Sequence, residues 1–110
     1  MADAQVLGEF EQLVLLGVLH CAAEAYGVPI CRELQTRAQR QVSLGAVYKT
    51  LDRIEQKGLV RSALGAATAE RGGRRKRIYQ VTPTGLKVLR SSLSAVARMS
   101  DGLAAVLGLP

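Results

Sequence analysis

Residues 70–82 read ERGGRRKRIYQVT, and the fold turns on how this run is read. Five of its first eight residues are Arg or Lys, with Gly72 and Gly73 among them, and then it becomes apolar and β-branched. Like charges packed this closely repel, so they do little for the stability of the chain that carries them. They suit a partner of opposite charge. The apolar IYQVT that follows has the composition of a strand.

Working outward, residues 59–65, LVRSALG, read as a second strand, and the connecting GAATAERGG is polar, glycine-rich and long for a hairpin tip. Upstream, Ser43 is a natural N-cap for a helix in which Leu44, Val47, Leu51 and Ile54 form one apolar stripe, and Gly58 lies just past its end as a stop. A shorter helix from about Val28 turns Ile30, Cys31 and Leu34 inward and Arg32 and Arg37 outward. From Leu7, the residues Phe10, Leu13, Val14, Gly17, Val18 and Cys21 recur at helical spacing, and Leu15, Leu16 and Leu19 add a second stripe. A helix apolar almost all round is expected to be buried almost all round, by a partner subunit as well as by its own domain. Glu9 and Glu11 fall in its first turn, where the helix dipole favours them.

Downstream, Thr82 caps a last helix with Pro83 at its first position. Leu86, Leu89, Leu93, Val96, Ser100, Leu103 and Leu107 follow at three- and four-residue steps, a stripe about 35 Å long that predicts one helix to the end of the chain. The small preceding domain cannot cover such a length, so Leu86, Leu89, Leu93, Val96, Leu103 and Leu107 are the expected contacts of a homodimer. The expected fold is mostly α with a small β-hairpin (α+β). Residues 1–82 form a winged helix-turn-helix and residues 83–110 a dimerisation helix. The basic run is then the wing.

The totals agree. A chain of 110 residues, 48% of them hydrophobic, fits one domain with a modest core and is not a disordered tail. Residues 1–31 carry four acidic and no basic side chains, whereas residues 32–110 hold all fifteen Lys and Arg against five acids, −4 against +10. Nucleic acid is the commonest partner for such a surface, with an anionic membrane as the rival. The longest apolar run, LVLLGVLHCAA, covers eleven residues where a bilayer span needs about 20, and acids rather than bases precede it. Cys21 and Cys31 do not make a disulfide framework, so a reducing, cytoplasmic setting is expected.

Four stretches in this order, LGEFEQLVLLGVLH, AYGVPICREL, SLGAVYKTLDRIEQKGLV and RGGRRKRIYQVTPTG, closely resemble PadR-like transcriptional regulators over nearly the whole chain. The most specific block runs from Ser43 to Val60, with Tyr48, Leu51, Ile54, Gly58 and Leu59 in the shared pattern. The resemblance implies a winged helix-turn-helix dimer that represses a nearby operon until an effector appears. With a single C-terminal helix the chain looks like the short branch of the family.

If the third helix is the recognition helix, its N-terminal half enters the major groove of double-stranded DNA. Gly45, Ala46, Lys49 and Arg53 then face outward. Gly45 and Ala46 let the backbone approach base edges, Ala46 can meet a thymine methyl, and Lys49 can reach guanine O6 or N7. Ser43 and the helix N-terminus offer donors to a phosphate. The same Lys49 and Arg53 would also suit any solvated helix face. Tyr48 borders the apolar stripe and reads equally as core; the resemblance implies the DNA-facing surface. Arg71, Arg74, Arg75, Lys76 and Arg77 of the wing are expected on phosphates, with one Arg in the minor groove as a variant of that picture. A dimer reads two half-sites about 34 Å apart, so the operator should be roughly palindromic.

Other classes fit less well. His20 is the single histidine and lies in the most apolar helix, no nucleophile–base spacing is present, and no glycine loop opens a helix in the phosphate-binding pattern. No catalytic group, metal or cofactor is expected. His20, Cys21 and Cys31 lack the spacing of a metal set, and read as two buried thiols and a partly buried imidazole. An architectural, low-specificity DNA binder or a winged-helix protein-interaction module would tolerate the same basic wing. Apolar first and last helices meeting in a dimer would enclose a hydrophobic or aromatic small-molecule effector, as the resemblance suggests, although the residues name no ligand.

Overall fold

The structure, a computed structural model, describes residues 6–65 and 75–110. Helix α1 (Glu9–Cys21) ends in a 3₁₀ turn (Ala22–Glu24), and α2 (Gly27–Thr36) and α3 (Leu44–Gln56) follow. Strands β1 (Val60–Leu64) and β2 (Arg77–Val81) come next, then α4 (Pro83–Ser100) and the single turn α5 (Ala104–Leu107). The strands pair antiparallel in the register Val60↔Val81 to Leu64↔Arg77. On its other edge β2 meets the segment before α2, where the Tyr79 amide donates to the Ala25 carbonyl at 2.8 Å. This is a winged helix-turn-helix.

Local chemistry sets the boundaries. Ser43 Oγ accepts the Ala46 amide at 3.0 Å and starts α3; Thr82 Oγ1 accepts the Gly85 amide at 3.0 Å and starts α4 behind Pro83. Beyond α3, Gly58 adopts φ +79°, which costs a glycine little, and the Leu59 amide closes back on the Ile54 carbonyl at 2.9 Å. The chain thereby leaves the helix directly into β1.

The core lies where α1, α2, α3 and the inner face of the hairpin meet. Leu15, Ile30, Leu51, Ile54 and Leu59 are fully buried there, each contributing about 1.5–3 kcal/mol by leaving water. Val14, Val47, Tyr79 and Leu89 belong to the same cluster. Helix α1 is not covered all round within the chain: Val14, Leu15, Gly17 and Val18 are buried, Phe10, Leu13 and Leu16 only partly, and Leu19 is exposed. None of the described helices is long and apolar enough to cross a membrane.

Two expectations are corrected. The C-terminal stripe is not one helix over residues 83–110: α4 stops at Ser100, Asp101 leaves helical geometry at ψ 134°, Gly102 takes φ +81°, and α5 begins only at Ala104. Its apolar spacing crosses this break unchanged, which is why the pattern alone runs through it. In α3 the buried set is Val47, Thr50, Leu51 and Ile54, while Leu44 is 40% exposed. Leu44 stands at the first position of the helix, beyond the edge of the core.

Candidate nucleic-acid interface

The capped start of α3 projects from the domain. Ser43, Gly45, Tyr48 and Lys49 are exposed and Ala46 is partly so; Leu44 and Asp52 share that surface and were not singled out by sequence reasoning. A Cβ placed on Gly45 would meet only Ser43 Oγ, at 4.0 Å, so this turn of backbone is open to close approach. The Ser43 hydroxyl spends a lone pair on the cap and keeps its proton for an external acceptor. Asp52 stands one turn beyond Lys49, and a carboxylate there accepts well from cytosine N4 and badly faces phosphate.

Tyr48 lies across the start of α2. A Cβ at Gly27 would collide with its ring, so the glycine makes the seat and the tyrosine remains 39% exposed. Tyr26, the residue before α2, stacks under Lys76, whose Nζ is 4.5 Å from the ring centre. The start of α2 thus meets the middle of α3 through Tyr48 and the tip end of the hairpin through Tyr26. No spacing rule gives such a junction.

Three of the five basic wing residues are described. Arg75 donates from Nε to the Gly65 carbonyl at 2.8 Å, and the Gly65 amide returns a bond to the Lys76 carbonyl at 2.6 Å, which extends the hairpin one step past its strands. Arg77 donates to Ser62 Oγ at 3.1 Å, and the Ser62 hydroxyl donates to Glu55 at 2.8 Å, linking the hairpin to the end of α3. Arg71 and Arg74 lie outside the described residues.

Arg53 is exposed but engaged. Its Nε donates to Glu11 Oε2 at 3.1 Å and its terminal nitrogen to Thr50 Oγ1 at 3.3 Å, while Lys57 Nζ reaches the same Glu11 oxygen at 2.8 Å. The other Glu11 oxygen accepts the Gly8 amide at 2.9 Å, the reach-back bond of a capping box. Burial alone would push the Glu11 carboxyl up; the bonds from Lys57, Gly8 and Arg53 outweigh it and hold the group below the usual carboxylate range. Sequence reasoning placed Glu11 in the first turn and missed its partners, because they lie 42 and 46 residues away. Glu9 pairs with Arg40, in the turn before α3, at 2.7 Å, and that guanidinium holds the Glu9 carboxyl low.

The residues expected to pair two copies fall into two groups. Leu89 is only 3% exposed, inside the chain's own core, whereas Leu86, Leu93, Val96, Leu103 and Leu107 are 39–59% exposed. Val96, Met99, Ser100, Leu103 and Leu107 border an open apolar cleft at the junction of α4 and α5. Among the described residues no three of His, Cys, Asp and Glu come together as a metal would require. Burial, with the Glu33 charge, pushes the Cys21 thiol up, away from reactive thiolate.

Known proteins share this arrangement. The chain is 38% identical over 96 residues to the transcriptional regulator Rv3488 of Mycobacterium tuberculosis, a match spanning 82% of this chain and 85% of that protein. It superposes on a PadR family transcriptional regulator from Eggerthella lenta with TM-score 0.65 and 27% identity, covering 90% of this chain and 86% of the other. A PadR family regulator from Clostridium difficile has the same fold at 20% identity, with TM-score 0.67 and 89% and 97% of the two chains covered. Residues 15–91 match the description "Transcriptional regulator PadR-like family", from the second half of α1 through the first half of α4. The winged helix-turn-helix is thus matched in both sequence and fold, and the chain belongs to the PadR-like family of DNA-binding transcriptional regulators, which are not enzymes.

Proposed function

We propose that this protein is a sequence-specific, homodimeric repressor of a nearby operon, released from DNA by a hydrophobic or aromatic effector. The observation that carries sequence-specific binding is the open N-terminal half of α3, where Gly45 and Lys49 are exposed, Ala46 is partly so and Tyr48 shows one side from its seat on Gly27, in a chain whose hairpin carries Arg75, Lys76 and Arg77. Small side chains let the helix sit deep in the major groove; Lys49 reads bases, and Ser43 with the wing cations, Arg71 and Arg74 included, holds phosphates. The exposed side of α4 and α5 supports a two-fold dimer. Repression and release rest on the family likeness, with the open apolar sides of α1 and α4 as the surfaces an effector would separate or draw together.

The test is selection of random duplex DNA on the purified protein at near-physiological salt, with sequencing of the bound pool. Enrichment of a rough palindrome with half-sites about 34 Å apart is expected. Salt-sensitive retention with no enriched sequence would favour the architectural binder that the cationic hairpin also suits. Lys49→Ala should change the preferred sequence. Arg74→Ala should weaken specific and random DNA alike and lower the salt slope by about 1.

A further inference from the structure

The acidic N-terminal part of the chain and its basic remainder meet at one place. The first turn of α1 presents Glu9 and Glu11 to three cations that flank the recognition helix: Arg40 before it, Arg53 and Lys57 at its end. Glu11 is the more committed of the two, its side chain 8% exposed with both oxygens bonded; Glu9 is 72% exposed. A cation bound to a buried carboxylate has an anion already and gains little from exchanging it for phosphate.

We propose that the first turn of α1 serves as an internal stand-in for phosphate, withholding Arg40, Arg53 and Lys57 from the DNA backbone and so limiting the sequence-independent share of binding. The inference rests on the reading that α3 faces DNA. Base reading is left to the open turn from Ser43 to Lys49, and phosphate contacts to the wing. A helix-turn-helix with all of its basic side chains available would hold random DNA more firmly and discriminate less, since each added phosphate contact strengthens right and wrong sites equally.

The experiment measures binding of a random-sequence duplex and of a selected site by fluorescence anisotropy across a salt series. Glu11→Gln keeps the shape and the reach-back bond to Gly8 but removes the charge. Its salt slope should steepen by about 1–2 and its affinity for random duplex should rise about 3–10-fold, with a reduced preference for the selected site. In the double variant Glu11→Gln, Lys57→Gln, about one unit of that slope should disappear again. Glu24→Gln alters net charge equally beyond the opposite end of α1 and should leave the slope as it was. Should Glu11→Gln fail to fold by circular dichroism, Glu9→Gln decides the matter: its carboxylate is exposed, and releasing Arg40 should steepen the slope by up to about 1. A folded Glu11→Gln, or in its place Glu9→Gln, with the unaltered slope and random-duplex affinity overturns the proposal. Absence of salt-dependent DNA retention by the unaltered protein would instead remove the reading on which it rests, and the proposal with it.

Discussion

The two halves of α4 repeat one pattern in two surroundings. In the first half Gly85 and Leu89 are buried, Leu89 within the core and Gly85 hard against the Leu59 carbonyl and Val81. In the second half Leu93 is 39% exposed, Val96 59% and Met99 79%. Apolar residues three and four apart therefore state a need for cover without saying what supplies it. The domain covers Gly85 and Leu89 but leaves Leu86 and the far part of the stripe exposed, the surface a proposed second copy would take.

The sharpest way to break this contrast is at Gly85. A Cβ there would collide with the Leu59 carbonyl and stand 2.9 Å from Val81 Cγ1. Backbone cannot swing aside, so Gly85→Ala should cost about 4 kcal/mol in urea unfolding. Leu89→Ala comes next, removing a core side chain for about 3 kcal/mol. Val96→Lys is the counterpart in the open half: at high dilution its stability should stay within about 0.5 kcal/mol of the unaltered protein. What it should abolish is the rise of Tm with protein concentration that a homodimer shows. If Val96→Lys were as costly at dilution as Leu89→Ala, the two halves would not differ in the way described.

Much of this was legible in the residues. Ser43, Gly58, Thr82 and Pro83 mark boundaries through local chemistry, in which each cap satisfies backbone groups a few residues away, and the structure follows them. Periodicity read the inner faces of α2 and of most of α3. It failed at Leu44 and Thr50, because the core ends before the first turn of α3, while Thr50 can be buried once its hydroxyl accepts a hydrogen bond from Arg53. It failed again at the Asp101–Gly102 stop, where Leu103 and Leu107 keep the spacing of the helix behind them although the backbone does not. At the candidate site, exposure of Gly45 and Lys49 could be inferred from the opposite stripe. The attachment of Arg53 to Glu11, and of Tyr48 to Gly27, could not. Both join residues far apart in sequence, and no local rule connects them.

The junction at the start of α4 has a mechanical consequence. The Thr82 amide donates to the Leu59 carbonyl at 2.9 Å, the Thr82 hydroxyl to the Gly58 carbonyl at 2.7 Å, and Gly85 fills the space that remains. The root of α4 is fastened to the two residues that carry the chain from α3 into the wing, with no swivel between them. From that fastened root α4, at 18 residues, extends as an arm of about 27 Å. In the proposed dimer, a change of about 5° in the angle between two such arms would displace their far ends by ~2 Å, and a displacement imposed at those ends would return to the two α3 helices as the same rotation.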